Sequence, residues 1–190
     1  MKQMEEKILK EGKVLPGGIL KVGSFLNQQI DTAFLKQIGD EIAGLFAASG
    51  VTKVLTVEAS GIAIAAAAGM ALGVPMVFAK KHKTSNVDGS VYSSVVHSYT
   101  HNTDYTIVVS SDYLLPEDKV LLVDDFLANG KALTGLMDLC AQAGAQVVGV
   151  SAAIEKGFQG GGDALRSRSI RVESLAVIDS MDENGIVFRK

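Results

Sequence analysis

Residues 120–133 constrain the fold most, because an apolar run meets two adjacent acidic residues, a glycine-containing loop and a helical pattern. The four apolar residues at 120–123 are typical of a strand that is buried on both faces of a sheet. The helical pattern at 133–143 has Leu133, Leu136, Met137 and Cys140 on one side. Because a strand leads directly into a helix, this segment predicts a βα unit and therefore a parallel sheet.

The rest of the chain repeats this alternation of strands and helices. Helical patterns lie at 2–11, 32–48 and 61–72, and strand patterns at 52–57, 74–78, 147–154 and 170–180. Asp31 precedes the second helix at the position of a cap, and Gly144 fits the position just past the helix at 133–143. The pattern predicts an α/β fold, an open and mostly parallel twisted sheet with helices on both faces.

Composition restricts the class of protein. A chain of 190 residues fits a single domain over 1–190, and its net charge of −3 argues against a surface dedicated to nucleic acid. The only cysteine, Cys140, excludes a disulfide framework and a cysteine-based zinc site. The longest apolar run, residues 61–77, consists mainly of alanine and glycine and is too weak for a membrane helix. We therefore expect a cytoplasmic protein without nucleic-acid or membrane partners.

Residues 80–104 form a connection of unusual length, rich in Ser, Thr, Tyr, His and Asn. Long connections within a compact domain are usually functional or mobile. The patterns at 92–96 and 106–109 predict a hairpin that carries the connection. Its three histidines, His82, His97 and His101, are interpreted either as solvated residues or as aids to closure over a ligand, together with Lys81 or Lys83.

Two carboxylates and a loop at the end of the strand at 120–123 predict a ligand site. Ligands of open α/β sheets bind beyond the carboxyl ends of the strands, where Asp124 and Asp125 are expected. The loop of Ala128, Asn129, Gly130, Lys131 and Ala132 leads into a helix, whose first N–H groups attract anions. The loop can bind a phosphate, and the two carboxylates can accept hydrogen bonds from a ribose diol. Together they indicate a sugar-phosphate site. The alternative is that the carboxylates only cap a turn.

Two other phosphate motifs are excluded by their spacing. The P-loop pattern would require Gly at 125 and Ser or Thr at 132, whereas the chain has Asp125 and Ala132. A dinucleotide fingerprint should follow the first strand, but residues 58–61 read Glu-Ala-Ser-Gly.

The segment at 120–132 resembles the phosphoribosyl diphosphate (PRPP) motif of type I phosphoribosyltransferases. Residues 57–62 resemble the turn that approaches pyrophosphate in that family, and the flexible loop at about 80–104 occupies the place of its closing loop. The wider family has a Thr-Gly-Gly-Thr-like sequence where this chain has Asn-Gly-Lys-Ala at 129–132. This variant, with residues 15–20 and 154–158, resembles the branch of the family that uses xanthine.

The resemblance implies purine salvage, in which ribose 5-phosphate is transferred from PRPP to xanthine and pyrophosphate is released, with Mg²⁺ carried by the diphosphate. It also implies that Asp124 and Asp125 hold the ribose, that residues 128–132 hold the 5′-phosphate, and that no protein metal site is needed. A hood, defined as residues 1–30 together with the C-terminal region, and a homodimer are expected on the same basis.

Base recognition is assigned by the resemblance to Leu20, Asn27 and Lys156. A lysine ammonium can donate to a 6-oxo group but not to a 6-amino group, so adenine is disfavoured. Lys156 as a solvated surface residue and Asn27 as a loop or cap residue remain alternatives, and Phe158 either stacks on the base or packs in the core. The open functional alternatives are a PRPP-sensing regulator and a transferase for orotate, uracil, guanine or adenine.

Overall fold

The computed structural model describes residues 1–81, 90–98 and 103–190. The helices are α1 (Lys2–Glu11), α2 (Thr32–Phe46), α3 (Gly61–Leu72), α4 (Lys131–Ala143) and α5 (Gly161–Ser167). The strands are β1 (Lys13–Leu15), β2 (Ile19–Lys21), β3 (Lys53–Val57), β4 (Met76–Ala79), β5 (Val91–Ser98), β6 (Thr103–Ser110), β7 (Lys119–Leu127), β8 (Gln146–Lys156), β9 (Val172–Asp182) and β10 (Gly185–Phe188).

A six-stranded sheet in the order β10-β9-β8-β7-β3-β4 forms the centre of the fold. All neighbouring strands in it are parallel except β10, which pairs antiparallel with β9. One hydrophobic cluster joins α1, α2 and α3 to one face, and a second joins α4 to the other. The predicted α/β architecture with helices on both faces is confirmed.

Several local signals set the ends of the helices. The Asp31 carboxylate accepts a hydrogen bond from the Phe34 N–H at 3.0 Å, which confirms the predicted cap. Gly144 has φ 75°, the left-handed conformation that glycine adopts most easily after a helix. Helix α2 ends at Phe46 rather than at 48, and a tighter helical turn continues to Ser49.

Strand β7 is longer than its apolar run, and this corrects the prediction that the strand ends before the two carboxylates. Asp124, Phe126 and Leu127 pair with Ala152, Ile154 and Glu155 of β8. Because β8 supplies backbone partners along this whole length, two acidic residues do not end the strand. The loop is shorter as a result, and α4 begins at Lys131 instead of Leu133.

The N-terminal segment between α1 and α2 contains regular structure. The chain before α2 forms the antiparallel pair β1–β2 around residues 16–18, followed by a wide helical turn at Gly23–Asn27. The buried residues of this segment, among them Phe25 and Leu26, join the same hydrophobic cluster as α2. The N-terminal ammonium donates to the carbonyl of Leu175 at 2.5 Å. These contacts attach the N-terminal segment to one face of the sheet.

The predicted hairpin at 92–96 and 106–109 is confirmed and extended as β5–β6. It packs on α4 at Gly135, where a Cβ would lie 2.5 Å from Val96 Cγ2. Lys80 forms an antiparallel bridge with Val108, which ties the end of β4 to the hairpin. The remainder of the predicted flexible loop, residues 82–89 and 99–102, lies outside the described residues, with His82, Lys83 and His101.

Within the described part of the chain, the helices are all too short or too polar to cross a bilayer.

A buried ion pair joins the first residue of β3 to the residue before β7, at the end of the sheet opposite the carboxylates. Lys53 Nζ lies 2.5 Å from Asp118 Oδ2, and the two residues are only 8% and 7% exposed. Burial alone would raise the pKa of Asp118, but hydrogen bonds from Lys53 and from the Leu115 N–H outweigh it and lower that pKa. Asp118 is therefore ionised at neutral pH.

Replacement of Asp118 by Asn should lower the free energy of unfolding by about 3–5 kcal/mol, because it leaves the Lys53 ammonium buried without its countercharge. The contribution of Asp118 is present above pH 3.8 and is lost as the pH falls below that value, since its pKa is lowered on folding. Urea denaturation at pH 7 measures the loss. The matched control is Asp40→Asn, which breaks an exposed pair with Lys36 at the same 2.5 Å and should cost less than about 1 kcal/mol. Equal losses in the two variants would contradict the role of burial.

Candidate active site

Asp124 and Asp125 occupy consecutive positions in β7 and differ in their surroundings. Successive strand residues start towards opposite faces of a sheet, but the two carboxyl groups remain close enough to interact directly. Asp124 is 7% exposed and accepts a hydrogen bond from the Asp125 N–H at 2.9 Å, whereas Asp125 is half-buried. Burial and the neighbouring charge of Asp125 hold the pKa of Asp124 well above its usual value.

The Asp124 carboxylate lies beside the turn between β3 and α3. A Cβ on Gly61 would lie 3.1 Å from Asp124 Oδ1 and closer still to the hydroxyl of Thr56, so this approach requires glycine. Tyr105 of β6 is on the same side, and its pKa is raised by burial and by the charge of Asp124. Residues from β3, β6 and β7 therefore meet at this carboxylate.

Asp125 faces the N-terminal segment instead. Asn27 Nδ2 donates to Asp125 Oδ2 at 3.1 Å, although the two residues are 98 positions apart. Asn27 is the last residue of the helical turn Gly23–Asn27, whose neighbours Phe25 and Leu26 are buried. The structure thus brings one predicted base-site residue into direct contact with one predicted ribose-site residue.

The loop after β7 has the geometry expected of an anion site. Gly130 has φ 79° and immediately precedes α4. The Asn129 side chain accepts from the Lys131 N–H at 3.1 Å, and the Gly130 carbonyl accepts from the Thr134 hydroxyl at 2.9 Å. Lys131 and Ala132 lie in the first turn of α4, where N–H groups have no partner within the helix. These hydrogen bonds fix the conformation of the loop, and the N-terminal, positive end of the α4 dipole lies at the loop.

Lys156 is the last residue of β8 and lies at the same edge of the sheet. Its ammonium donates to the Gly18 carbonyl at 2.9 Å and lies 5.5 Å from the centre of the Phe126 ring. Burial lowers the pKa of Lys156. These contacts describe an ammonium held between the hood and the sheet, rather than a freely solvated side chain.

The other predicted base-site residues differ in exposure. Phe158 is 44% exposed and packs beside Gly18, so its ring is not a core residue. Leu20 is 6% exposed and belongs to the hydrophobic cluster of the N-terminal segment, so most of its side chain supports that segment.

The turn at 58–61 connects to the end of β4. Glu58 Oε1 accepts from the Lys81 N–H at 2.6 Å, the Glu58 N–H donates to the Ala79 carbonyl at 3.0 Å, and the Glu58–Ala59 peptide bond is cis. The Lys81 ammonium lies 5.3 Å from the centre of the Tyr105 ring. Of the histidines, His97 is described, and its Nδ1 lies 2.6 Å from Asp104 Oδ1.

Sequence reasoning missed several residues that shape this site. Phe126 and Tyr105 carry no motif. Phe126 packs against the hydrophobic cluster of the N-terminal segment and lies beneath the Lys156 ammonium, and these contacts are visible only in the structure. Gly161 packs on the backbone of residues 128–130, and the run of glycines at 160–162 was a signal for such close contact. Within the described residues, no group of three or more His, Cys, Asp or Glu side chains is arranged to hold a metal ion.

Replacement of Asp124 by Asn should stabilise the free protein at pH 7, because the buried carboxylate has a raised pKa and its charged form is disfavoured. The stability that this carboxyl provides is present below its ordinary value of 3.8 and is lost as the pH rises through the raised pKa. The thermal midpoint of the variant should therefore exceed that of the parent at pH 7, and the difference should shrink towards pH 3.8. The control is Asp125→Asn at the less buried neighbour, and the thermal midpoint of the Asp124 variant should exceed that of this control. A variant that is less stable at pH 7 would contradict the assignment of Asp124 as a disfavoured buried charge.

Comparisons with known proteins place this geometry in a family. A model of the phosphoribosyl transferase domain matches residues 27–188. Proteins named xanthine phosphoribosyltransferase from Bifidobacterium longum and Limosilactobacillus reuteri are 51% and 48% identical to this chain, and both alignments cover 100% of each sequence. One from Moorella thermoacetica is 52% identical over 97% of this chain and 94% of its own length.

Solved structures share the fold at lower identity. The APRTase from Giardia lamblia complexed with 9-deazaadenine has a TM-score of 0.75 and 23% identity, covering 92% of this chain and 96% of its own. The adenine phosphoribosyltransferase from Thermoanaerobacter pseudethanolicus has a TM-score of 0.74 and 19% identity, covering 92% and 98%. The resemblance predicted from residues 120–132 is confirmed, and the chain belongs to the phosphoribosyltransferase family.

Proposed function

We propose that this chain catalyses a step of purine salvage, the conversion of xanthine and PRPP to xanthosine 5′-monophosphate and pyrophosphate. The observation that carries the proposal is that Asn27 contacts Asp125, and that Lys156 ends β8 beside the end of β7, from which the loop at 128–132 begins. Full-length relatives at about half identity bear the name of this activity. The arrangement offers a donor for an oxopurine next to a site for a sugar phosphate.

The ribose 5-phosphate part of PRPP is assigned to β7 and the start of α4. The 5′-phosphate lies on the backbone of Ala128, Asn129, Gly130, Lys131 and Ala132, where N–H groups and the helix dipole favour an anion. The Asp124 and Asp125 carboxylates accept hydrogen bonds from the ribose hydroxyls. Phosphate binding needs no threonine here, because the backbone donors remain where the loop has Asn129, Lys131 and Ala132.

Recognition of the base is assigned to the hood and the end of β8. The Lys156 ammonium exchanges its contact with the Gly18 carbonyl, in whole or in part, for the 6-oxo group of xanthine. The Asn27 amide lies close enough to Asp125 to contact both base and ribose, while Phe158 and Leu20 border the base. An amino group at position 6 would face an ammonium with no acceptor, so adenine is rejected.

The reaction breaks the bond between the ribose C1′ and the diphosphate oxygen and forms a bond from C1′ to a purine nitrogen. The nitrogen supplies the electron pair of the new bond, and the diphosphate leaves with the pair of the old one. Positive charge develops on the ribose in between, and carboxylates at the ribose favour that charge. Positioning of the two substrates and exclusion of water account for the rest of the catalysis.

Mg²⁺ is assigned to the PRPP diphosphate rather than to a protein cage. Oxygen donors suit this ion, and Asp124 and Asp125 are the nearest carboxylates to the ribose site, so they would contact its hydration shell. When bound, the ion neutralises negative charge on the leaving diphosphate. A cytoplasmic location and a homodimer complete the proposal, both on the basis of family resemblance.

Product formation from PRPP and Mg²⁺ with xanthine, hypoxanthine, guanine, adenine, uracil or orotate tests the proposal. Nucleotide should form fastest with xanthine and at background rates with adenine and orotate. Absence of turnover with every base would favour a PRPP-binding regulator and overturn the enzymatic proposal. Fastest turnover with adenine or orotate would overturn the assignment of Lys156. Sedimentation of the purified protein tests the homodimer in the same preparation.

Lys156→Met should lower kcat/KM for xanthine by about 100-fold or more, because a site built to hydrogen-bond an oxygen discriminates strongly once that donor is lost. The control is Lys36→Met, which removes an exposed lysine of α2 and should leave the rate unchanged. A Lys156→Met enzyme with unchanged kcat/KM for xanthine would show that another residue binds the 6-oxo group.

A further inference from the structure

The Glu155 carboxylate lies at the centre of a polar network that the proposed reaction does not use. Glu155 is fully buried on β8, and both of its oxygens accept from Arg166 of α5, at 2.8 and 2.7 Å. The Ser174 hydroxyl of β9 donates to Glu155 Oε2 at 2.5 Å. The bidentate pair joins α5 to the sheet with a fixed orientation.

The charge of Glu155 is maintained by this pairing. Burial alone would raise the pKa of Glu155, but hydrogen bonds from Arg166 and Ser174 outweigh it and hold that pKa below its usual value. Arg166 also donates to Asp163, and Arg189 donates to Asp163 and Asp179, so the network continues to the C-terminal end of the described chain.

Two consecutive glycines let α5 approach both the network and the loop after β7. A Cβ on Gly162 would fall within 2.0 Å of Glu155 Oε1. A Cβ on Gly161 would fall 2.3 Å from the Ala128 carbonyl oxygen and 2.6 Å from Gly130 N. The Gly161 N–H also donates to that Ala128 carbonyl at 3.1 Å. One side of the α5 start therefore contacts the ion pair, and the other contacts the loop backbone.

We propose that Glu155 and Arg166 are positioning residues for the 5′-phosphate of PRPP, acting through Gly161 on the backbone of residues 128–130. Neither side chain needs to touch the substrate. The ion pair fixes the position of α5 relative to the sheet. The Gly161 N–H of α5 in turn binds the Ala128 carbonyl, and this contact keeps the N–H groups of the loop in a fixed orientation. This inference rests on the proposed function, because it assumes that the loop binds the sugar phosphate.

A positioning role predicts a specific kinetic pattern. A displaced loop weakens contacts to the phosphate in both the ground state and the transition state, which raises KM and leaves kcat nearly unchanged. The base site, which depends on Lys156 and Asn27, is reached through other contacts. A change in general stability would instead lower the amount of active enzyme and leave the KM for PRPP as it was.

The test measures Glu155→Gln, which removes the charge but keeps the shape, and Gly161→Ala, which disturbs the loop contact but leaves the ion pair intact. Each should raise the KM for PRPP about tenfold or more, since weakening one hydrogen bond to a charged group has an effect of this order. The KM for xanthine and kcat should stay within about twofold, and calorimetry should show ribose 5-phosphate binding weakened by the same factor as PRPP. The controls are Glu173→Gln, which breaks an exposed pair with Arg171, and Gly44→Ala, where a Cβ meets no atom within 4 Å.

The outcomes separate this inference from the proposed function. A parent protein that turns over xanthine, with both variants keeping its KM for PRPP and its affinity for ribose 5-phosphate, would overturn the positioning role alone. A parent that neither turns over nor binds ribose 5-phosphate would overturn both. If Glu155→Gln does not fold, Arg166→Lys replaces it, because lysine keeps the charge but cannot make the bidentate contact with Glu155. An unchanged KM for PRPP in Arg166→Lys would overturn the positioning role of the pair.

Discussion

The parallel ladder between β7 and β8 supports every other feature of the site. Pairing continues from Lys119 with Gln146 to Leu127 with Glu155, well beyond the apolar run at 120–123. This extension carries carboxylates out on β7 and a lysine and a glutamate out on β8, so that polar side chains meet at one edge of a hydrophobic sheet. The ladder gives the backbone groups of this extension their hydrogen-bond partners, in a chain whose core is mainly apolar.

The site concentrates charge in places where burial is unfavourable. Asp124 is buried with a raised pKa, and Lys156 is half-buried with a lowered pKa. In both residues burial disfavours the charged form, and a ligand that forms hydrogen bonds with that form would stabilise it. Glu155 illustrates the contrast, because its buried charge is fully paired and its pKa is lowered. We therefore assign Asp124 and Lys156, whose charged forms are disfavoured by burial, to substrate binding. Glu155, whose charged form is favoured by its hydrogen bonds, is assigned to support of the structure.

Much of the fold and part of the site followed from local patterns in the sequence. The helix at Gly61–Leu72, the cap at Asp31 and the loop at 128–132 depend on neighbours a few positions away, and periodicity or turn chemistry reveals them. The end of β7 depended on β8, and the contact of Asn27 with Asp125 joins residues 98 positions apart. No local pattern encodes such long-range pairings, and for that reason they emerged only from the structure.

The central claim is that a sugar phosphate binds at the junction of β7 and α4 with an oxopurine beside Lys156. A crystal structure of the protein with xanthosine 5′-monophosphate tests it most directly. The account predicts the 5′-phosphate on the backbone of residues 128–132, the ribose hydroxyls at Asp124 and Asp125, and the 6-oxo group at the Lys156 ammonium. A nucleotide with its base on the loop, or bound in the separate cleft of about 660 Å³ that runs along β4, would contradict it.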